Sequence, residues 1–237
     1  MLQIHWLDAD SDSPFPPLEQ ALTDPNGLLA VGGDLSPRRL INAYKHGVFP
    51  WYNPGEPILW WSPDPRCVLY PQQLKISRSL RKTLNKHPFE VRFDTAFADV
   101  MQACGQPRAK QSGTWITSQM LKAYTHMHEL GFAHSVECWQ NNQLVGGLYG
   151  LAIGRVFFGE SMFSRVTDAS KIALVYLCQW LIENGYELID SQVHTTHLES
   201  MGAQLIPRTE YIALLNSLIG GGCEPGKWPT PDGRVSV

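Results

Sequence analysis

Hydrophobic and polar positions fall into two regimes along this chain. Over residues 1–65 the apolar residues come in short clusters cut by proline, which takes ten of the chain's 17 prolines, so only short elements fit there. One helix is signalled clearly. Ser36 serves as N-cap, Pro37 stands in the first turn, RRLINAYKH follows, and Gly47 stops it. Short extended pieces are predicted at 28–31 and 57–61. A segment this broken buries little surface alone and must lean on a neighbour.

From residue 66 onward the periodicity is more regular. The pattern predicts a strand at 66–70, a basic helix at 77–87, a strand at 89–94 and a helix at 95–103. A loop reaches Thr114 and Trp115, and a helix over 118–130 is closed by Gly131. Strands at 133–139 and 143–151 flank the turn QNN, and a third strand lies at 155–163. The stretch 170–184 is apolar on more than one side, which predicts a buried helix ending before Gly185. A strand, YELIDSQVH, precedes two helical pieces at 195–201 and 208–219. This order predicts an α+β protein with a mixed sheet, divided into a small Pro-rich N-terminal domain (1–65) packed on a mixed α/β domain (66–237).

Composition adds a globular protein of 237 residues, 43% hydrophobic and 17% charged, with a net charge of -3. The start MLQIHWLDADSDS lacks a basic leader, and no apolar run approaches the roughly 20 residues that span a bilayer, so no membrane is expected. Five widely spaced Cys without a CxxC pair read as reduced cytoplasmic thiols. His126 and His128 diverge on a helix, and His194 with His197 has no partner set, so no metal site is expected.

The net charge argues against a nucleic-acid partner until it is divided by position. Between Arg66 and Phe89 stand six basic residues and no acid, leaving 13 basic against 22 acidic elsewhere. Lys75, Arg78, Arg81, Lys82 and Lys86 crowd like charges that repel along a helix, so helix stability does not explain them. They form either a solvated face or a contact to a phosphate backbone. Aromatic residues cluster too, at FPWY (49–52), WW (60–61) and Trp115. These rings are either core plugs of a small domain or stacking platforms for bases, and Trp51 and Trp115, at loops, are the stacking candidates. In an extended strand Asp190 and Gln192 share a face, as a structural pair or as groups that orient and deprotonate an attacking amine. Glu160 sits among Phe157, Phe158, Met162 and Phe163, a setting a carboxylate occupies only with a partner. Strand alternation separates Phe157 from Glu160 and Met162 unless a bulge intervenes. Leu174, Leu177 and Leu181 repeat at helical spacing, as plain core or as a pocket wall.

Taken together, LTDPNGLLAVGGDLSPRRLINAY (22–44), GVFPWY (47–52), PILWWSPDPR (57–66), GTWIT (113–117), AHSVECW (133–139), LVGGLYG (144–150), GESMFSR (159–165), ASK (169–171) and LIDSQV (188–193) resemble the leucyl/phenylalanyl-tRNA–protein transferase family over almost the whole chain. The resemblance implies a cytoplasmic monomer with a GNAT-like C-terminal domain. It would move Leu or Phe, less readily Met, from aminoacyl-tRNA to proteins with N-terminal Arg or Lys, marking them for N-degron-dependent degradation. It implies Trp51 and Trp115 against the terminal adenosine. An aminoacyl pocket would use Leu148, Phe157, Met162, Leu174, Leu177 and Leu181 with Glu160 at its rim, and Asp190 and Gln192 would be catalytic. No cofactor is implied. The turn SRVTDASK (164–171), where GNAT acyltransferases carry an RxxGxG/A nest for acyl-CoA, holds no Gly, which disfavours acyl-CoA. A non-catalytic RNA-binding module is the other rival, and it would form no peptide bond.

Overall fold

The structure is a computed structural model that describes residues 4–9, 13–106, 116–221 and 224–230. Proline sets the scale of the first part. Its strands are β1 (His5–Leu7), β2 (Leu28–Gly32), β3 (Phe49–Pro50) and β4 (Leu59–Trp61), in the order β1-β2-β4-β3. Helix α1 (Pro37–Lys45) begins where the sequence signals it: the Ser36 hydroxyl accepts the Arg39 N–H, and Pro37 needs no N–H partner at the first turn. Its buried face carries Leu40, Ala43 and Tyr44.

The remaining strands are β5 (Arg66–Leu69), β6 (Glu90–Phe93), β7 (Ala133–Gln140), β8 (Gln143–Ile153), β9 (Val156–Ser164), β10 (Leu188–Gln192) and β11 (Gln204–Ile206). They form one mixed sheet in the order β11-β5-β10-β9-β8-β7-β6, antiparallel except for the β9–β10 pair. The helices of this part are α2 (Arg78–Leu84), α3 (Phe97–Cys104), α4 (Ser118–Glu129), α5 (Ala169–Glu183), α6 (Thr196–Ser200) and α7 (Arg208–Ile219). The chain is thus a mixed α/β protein with two sheets. Three short strands, β1, β3 and β11, escape the sequence pattern because two or three residues are too few to show alternation.

The large sheet divides the core. On one side Phe97, Met101, Tyr124 and Tyr149 pack with Tyr44, Phe49 and Trp60 of the proline-rich part, so the two sheets share a single apolar cluster. On the other side lies α5, with nine buried residues spread around its circumference. One strand glycine serves this second contact. A Cβ at Gly146 would stand 2.4 Å from the Ala169 Cβ, so glycine admits the first turn of α5.

Candidate active site

The site arises where β9 and β10 part. These parallel strands pair only through Leu188–Val156, Ile189–Phe157 and Asp190–Phe158, while β9 continues to Ser164. Both strands bulge immediately beyond the last pair. On β9, Ser161 faces Tyr149 and Gly159 faces Gly150, leaving Glu160 as the extra residue. On β10, Asp190 faces Val68 and Gln192 faces the adjacent Cys67, leaving Ser191 extra. A cavity of about 910 Å³ opens at this split, lined by residues 159–165 of β9 and its end and by Ile189, Ser191, Gln192 and Val193.

The β9 bulge resolves the parity conflict read from the sequence. Residues opposite one another across an antiparallel pair share a face. Met162 faces Leu148 and Phe157 faces Ala152, two positions of equal parity on β8, so Phe157, Leu148 and Met162 turn to the same side, toward α5. Leu174, Leu177 and Ile189 complete this apolar lobe. Leu181, expected to join them, does not line the cavity; four residues beyond Leu177 it is fully buried in the core.

Glu160 is the polar centre of the split. Its Oε1 accepts hydrogen bonds from the Tyr44 hydroxyl (2.7 Å) and Gln192 Nε2 (2.7 Å), and its Oε2 accepts one from the Tyr124 hydroxyl (3.4 Å). The two tyrosine hydroxyls are also bonded to each other. Burial pushes the Glu160 carboxyl up to about 7, against the hydrogen bonds from Tyr44 and Gln192, and the charge of Asp190 adds to the rise. Burial and the Glu160 charge together hold the Tyr44 and Tyr124 phenols well above their ordinary value.

Asp190 behaves differently from its sequence reading. The one-residue shift at Ser191 turns Asp190 and Gln192 to opposite faces, so they do not share one. The Asp190 carboxylate is fully buried and absent from the cavity wall. Arg66 Nε and Nη2 donate to its two oxygens at 2.8 and 2.7 Å, and Tyr211 donates at 2.7 Å. Arg66 is itself fully buried, its guanidinium lying 4.8 Å from the Phe49 ring and 4.7 Å from the Tyr211 ring. Burial alone would lower the Arg66 pKa, but the adjacent Asp190 charge more than offsets this and raises it. With its charge matched, Asp190 offers no free carboxylate to an amine or to a cationic acceptor. Its remaining link to the cavity is the Gln192 backbone N–H, which donates to Asp190 Oδ1 at 2.9 Å. Gln192 has φ 60, a left-handed conformation that costs about 1–3 kcal/mol in a non-glycine residue, and its bonds to Asp190 and Glu160 hold it there.

The aromatic cluster separates into distinct roles. Trp60 is fully buried and its Nε1 donates to the Gly32 carbonyl, making it a core plug. Trp51 is 44% exposed and lines the cavity. Trp61 braces it, with ring centroids 5.8 Å apart and its Nε1 donating to the Trp51 carbonyl at 2.6 Å. Trp115 lies outside the described residues. Lys75, Arg78, Arg81, Lys82 and Lys86 are all exposed and form no ion pair among the described residues. Helix α2 is shorter than the predicted 77–87, leaving Lys75 and Lys86 on its flanks, and Leu80 and Leu84 anchor its inner face. Thr83 ties α2 to Asp168, directly before α5.

Sequence reasoning missed Tyr44, Tyr124, Tyr211 and the structural role of Arg66. Tyr44 was legible as part of the apolar face of α1. Nothing local marked Tyr211, which lies 21 residues from its partner Asp190. Arg66 was counted in the basic window, whereas its charge is spent inside the protein.

Comparison with known proteins identifies the family of the chain. The family model described as Leucyl/phenylalanyl-tRNA protein transferase matches residues 68–216, and that of the N-terminal domain of the same family matches 33–64. The leucyl/phenylalanyl-tRNA–protein transferase of Nitrosomonas europaea is 63% identical over 92% of this chain and 92% of its own length. The chain belongs to the leucyl/phenylalanyl-tRNA–protein transferase family. The same transferase of Nitrosospira multiformis is 60% identical (95% of this chain, 96% of that one), and the one of Shewanella baltica 56% (98% of each). Membership makes the chain a transferase. Among solved structures, L-PGS from Bacillus licheniformis aligns at 12% identity over 71% of this chain and 54% of that one, with a TM-score of 0.37, too distant to bear on function. Among the described residues no helix is long and apolar enough to cross a membrane.

Proposed function

We propose that this protein is a cytoplasmic, monomeric enzyme that transfers Leu or Phe, and less readily Met, from aminoacyl-tRNA to the α-amine of proteins beginning with Arg or Lys, marking them for N-degron-dependent degradation. We read residues 66–237 as a GNAT-like aminoacyltransferase domain and 1–65 as its small N-terminal domain. The observation that carries the reading is the cavity at the β9–β10 split, which joins an apolar lobe to a polar edge at Glu160 and Gln192. Leu148, Phe157, Met162, Leu174 and Leu177 receive the aminoacyl side chain. A smooth apolar wall separates side chains differing by one methylene by only about 1–3 kcal/mol, which suits a pocket that accepts Leu, Phe and Met. Trp51, with Trp115, stacks the terminal adenosine, and the five exposed cations around α2 meet the tRNA backbone.

The reaction is ester aminolysis. The acceptor amine, with an ordinary pKa of roughly 7.7–8.0, is partly uncharged near neutral pH and attacks the ester carbonyl carbon. A C–N bond forms and the C–O bond to the ribose breaks. The proton lost by the amine reaches the departing ribose oxygen through the neighbouring ribose hydroxyl, and no covalent enzyme intermediate arises. Gln192 orients the amine. Its Nε2 is committed to Glu160, which turns its Oε1 away from that carboxylate, leaving the carbonyl as acceptor for an amine N–H. Asp190 acts through Gln192 as a positioning residue, and the ionised form of Glu160, which predominates above about 7, suits a cationic N-terminal residue. Positioning of the two ends provides the main acceleration.

Gln192→Ala tests this. Transfer should fall on the order of 10²-fold, the range of a misplaced reacting group, while Leu-tRNA affinity persists. Equal loss of turnover and affinity would remove Gln192 from the chemistry.

A further inference from the structure

Among the described residues of the tail after α7, one side chain, that of Trp228, enters the interior. Residues 224–227, 229 and 230 are exposed, whereas Trp228 is only 7% exposed. Its indole lies flat on the His134 ring (centroids 3.9 Å, planes 4° apart) and stacks on Trp180 of α5 (3.9 Å, 27°). Its backbone N–H donates to Asp94 Oδ2 at 2.9 Å, the oxygen that also binds His134 Nδ1. Upstream, the Gly226 N–H donates to the Gly131 carbonyl. A Cβ at Gly131 would stand 2.4 Å from the Gly226 nitrogen, so the glycine that closes α4 also seats the tail.

The indole backs a wall of the cavity. Phe157, whose ring faces the apolar lobe, has its centroid 5.8 Å from that of Trp228. Gly150 is a second neighbour of this ring, and a Cβ there would come within 2.6 Å of it. Phe157 is therefore flanked by Gly150 and by Trp228, and the latter contact comes from the tail. His134 and Gly150 are paired across β7 and β8, which places the stacked indole beside Gly150 on the α5 face of the sheet. Trp228, Phe157, Leu148, Leu174 and Leu177 accordingly belong to one buried cluster.

We propose that Trp228 is a specificity-determining residue that acts through Phe157, fixing the depth of the lobe and with it the balance between Phe and Leu as transferred groups. This rests on the reading of the lobe as the aminoacyl side-chain pocket. With the indole gone, Phe157 gains room to withdraw, the lobe deepens, and the larger substrate profits.

The test compares kcat/KM for Phe-tRNA and Leu-tRNA in the full chain carrying Trp228→Ala, Trp228→Leu or Trp228→Phe, with thermal melting to establish that each variant is folded. Trp228→Ala should raise the Phe-to-Leu ratio about tenfold, the scale on which an apolar pocket discriminates between side chains. Trp228→Leu should give an intermediate ratio, and Trp228→Phe should restore the original one. A purely structural role would depress both substrates together and leave the ratio unmoved. A ratio that falls, or that stays within about twofold in every folded variant, overturns the proposal. Leu177→Ala, which alters the wall itself, separates the two levels. If it shifts the ratio and the Trp228 variants do not, only the role of Trp228 fails. If neither shifts it, the reading of the lobe fails as well.

Discussion

Replacing Glu160 with Gln should change how stability depends on pH in a calculable way. The carboxyl rises from an ordinary 4.5 to about 7, chiefly because burial disfavours its charge. The folded protein therefore binds this proton more tightly than the unfolded chain does. The resulting stabilisation is fully present below about 4.5, declines as pH rises, and is gone above about 7. At about 1.36 kcal/mol per pKa unit it amounts to about 3 kcal/mol, of which about 2–3 kcal/mol should disappear between pH 5 and 8. Glu160→Gln keeps an acceptor for Tyr44 and Gln192 but cannot ionise. Urea unfolding of both proteins at several pH values isolates the effect, because every other titrating group cancels in the difference. The advantage of the unaltered protein over Glu160→Gln should shrink by that amount as pH climbs to 8. A difference that is flat, or that grows with pH, would refute the assignment of a raised pKa to Glu160.

Trp51→Ala should weaken binding of an aminoacyl-adenosine analogue by about 1–3 kcal/mol, read by calorimetry, and unchanged affinity would leave Trp51 with no stacking role. Neutralising Arg78, Arg81 and Lys82 together should flatten the dependence of tRNA affinity on log salt by about two to three units of slope, and an unmoved slope would make α2 a solvated face.

Much of the fold was legible because its signals are local. Ser36, Pro37 and Gly47 bracket α1, and the all-round apolarity of 170–184 announces a helix buried against the sheet. Helical spacing marked Leu174 and Leu177 locally, the rest of the apolar lobe was named through the family resemblance, and its geometry was not legible at all. Alternation places Phe157 opposite Met162, and only the extra residue at Glu160 brings them to one face. A bulge is a relation between two strands and leaves no mark in either alone. The same limit governs Asp190. Its apparent alliance with Gln192 on one face is undone at Ser191, and its actual partners, Arg66 and Tyr211, come from distant parts of the chain. Arg66 shows why a charge count misleads: it belongs to the basic window in sequence and to a buried pair in space. Trp228 follows the same logic, since nothing in a polar tail identifies the ring against which its indole will stack.

The most direct measurement incubates the protein with Leu-tRNA labelled in the amino acid and with peptides beginning with Arg, Lys or Ala. The label should pass to the α-amine of the Arg and Lys peptides, spare the Ala peptide, and never remain on the protein when acceptor is withheld. Transfer to all three alike, label retained covalently on the protein, or no peptide bond at all would contradict the account.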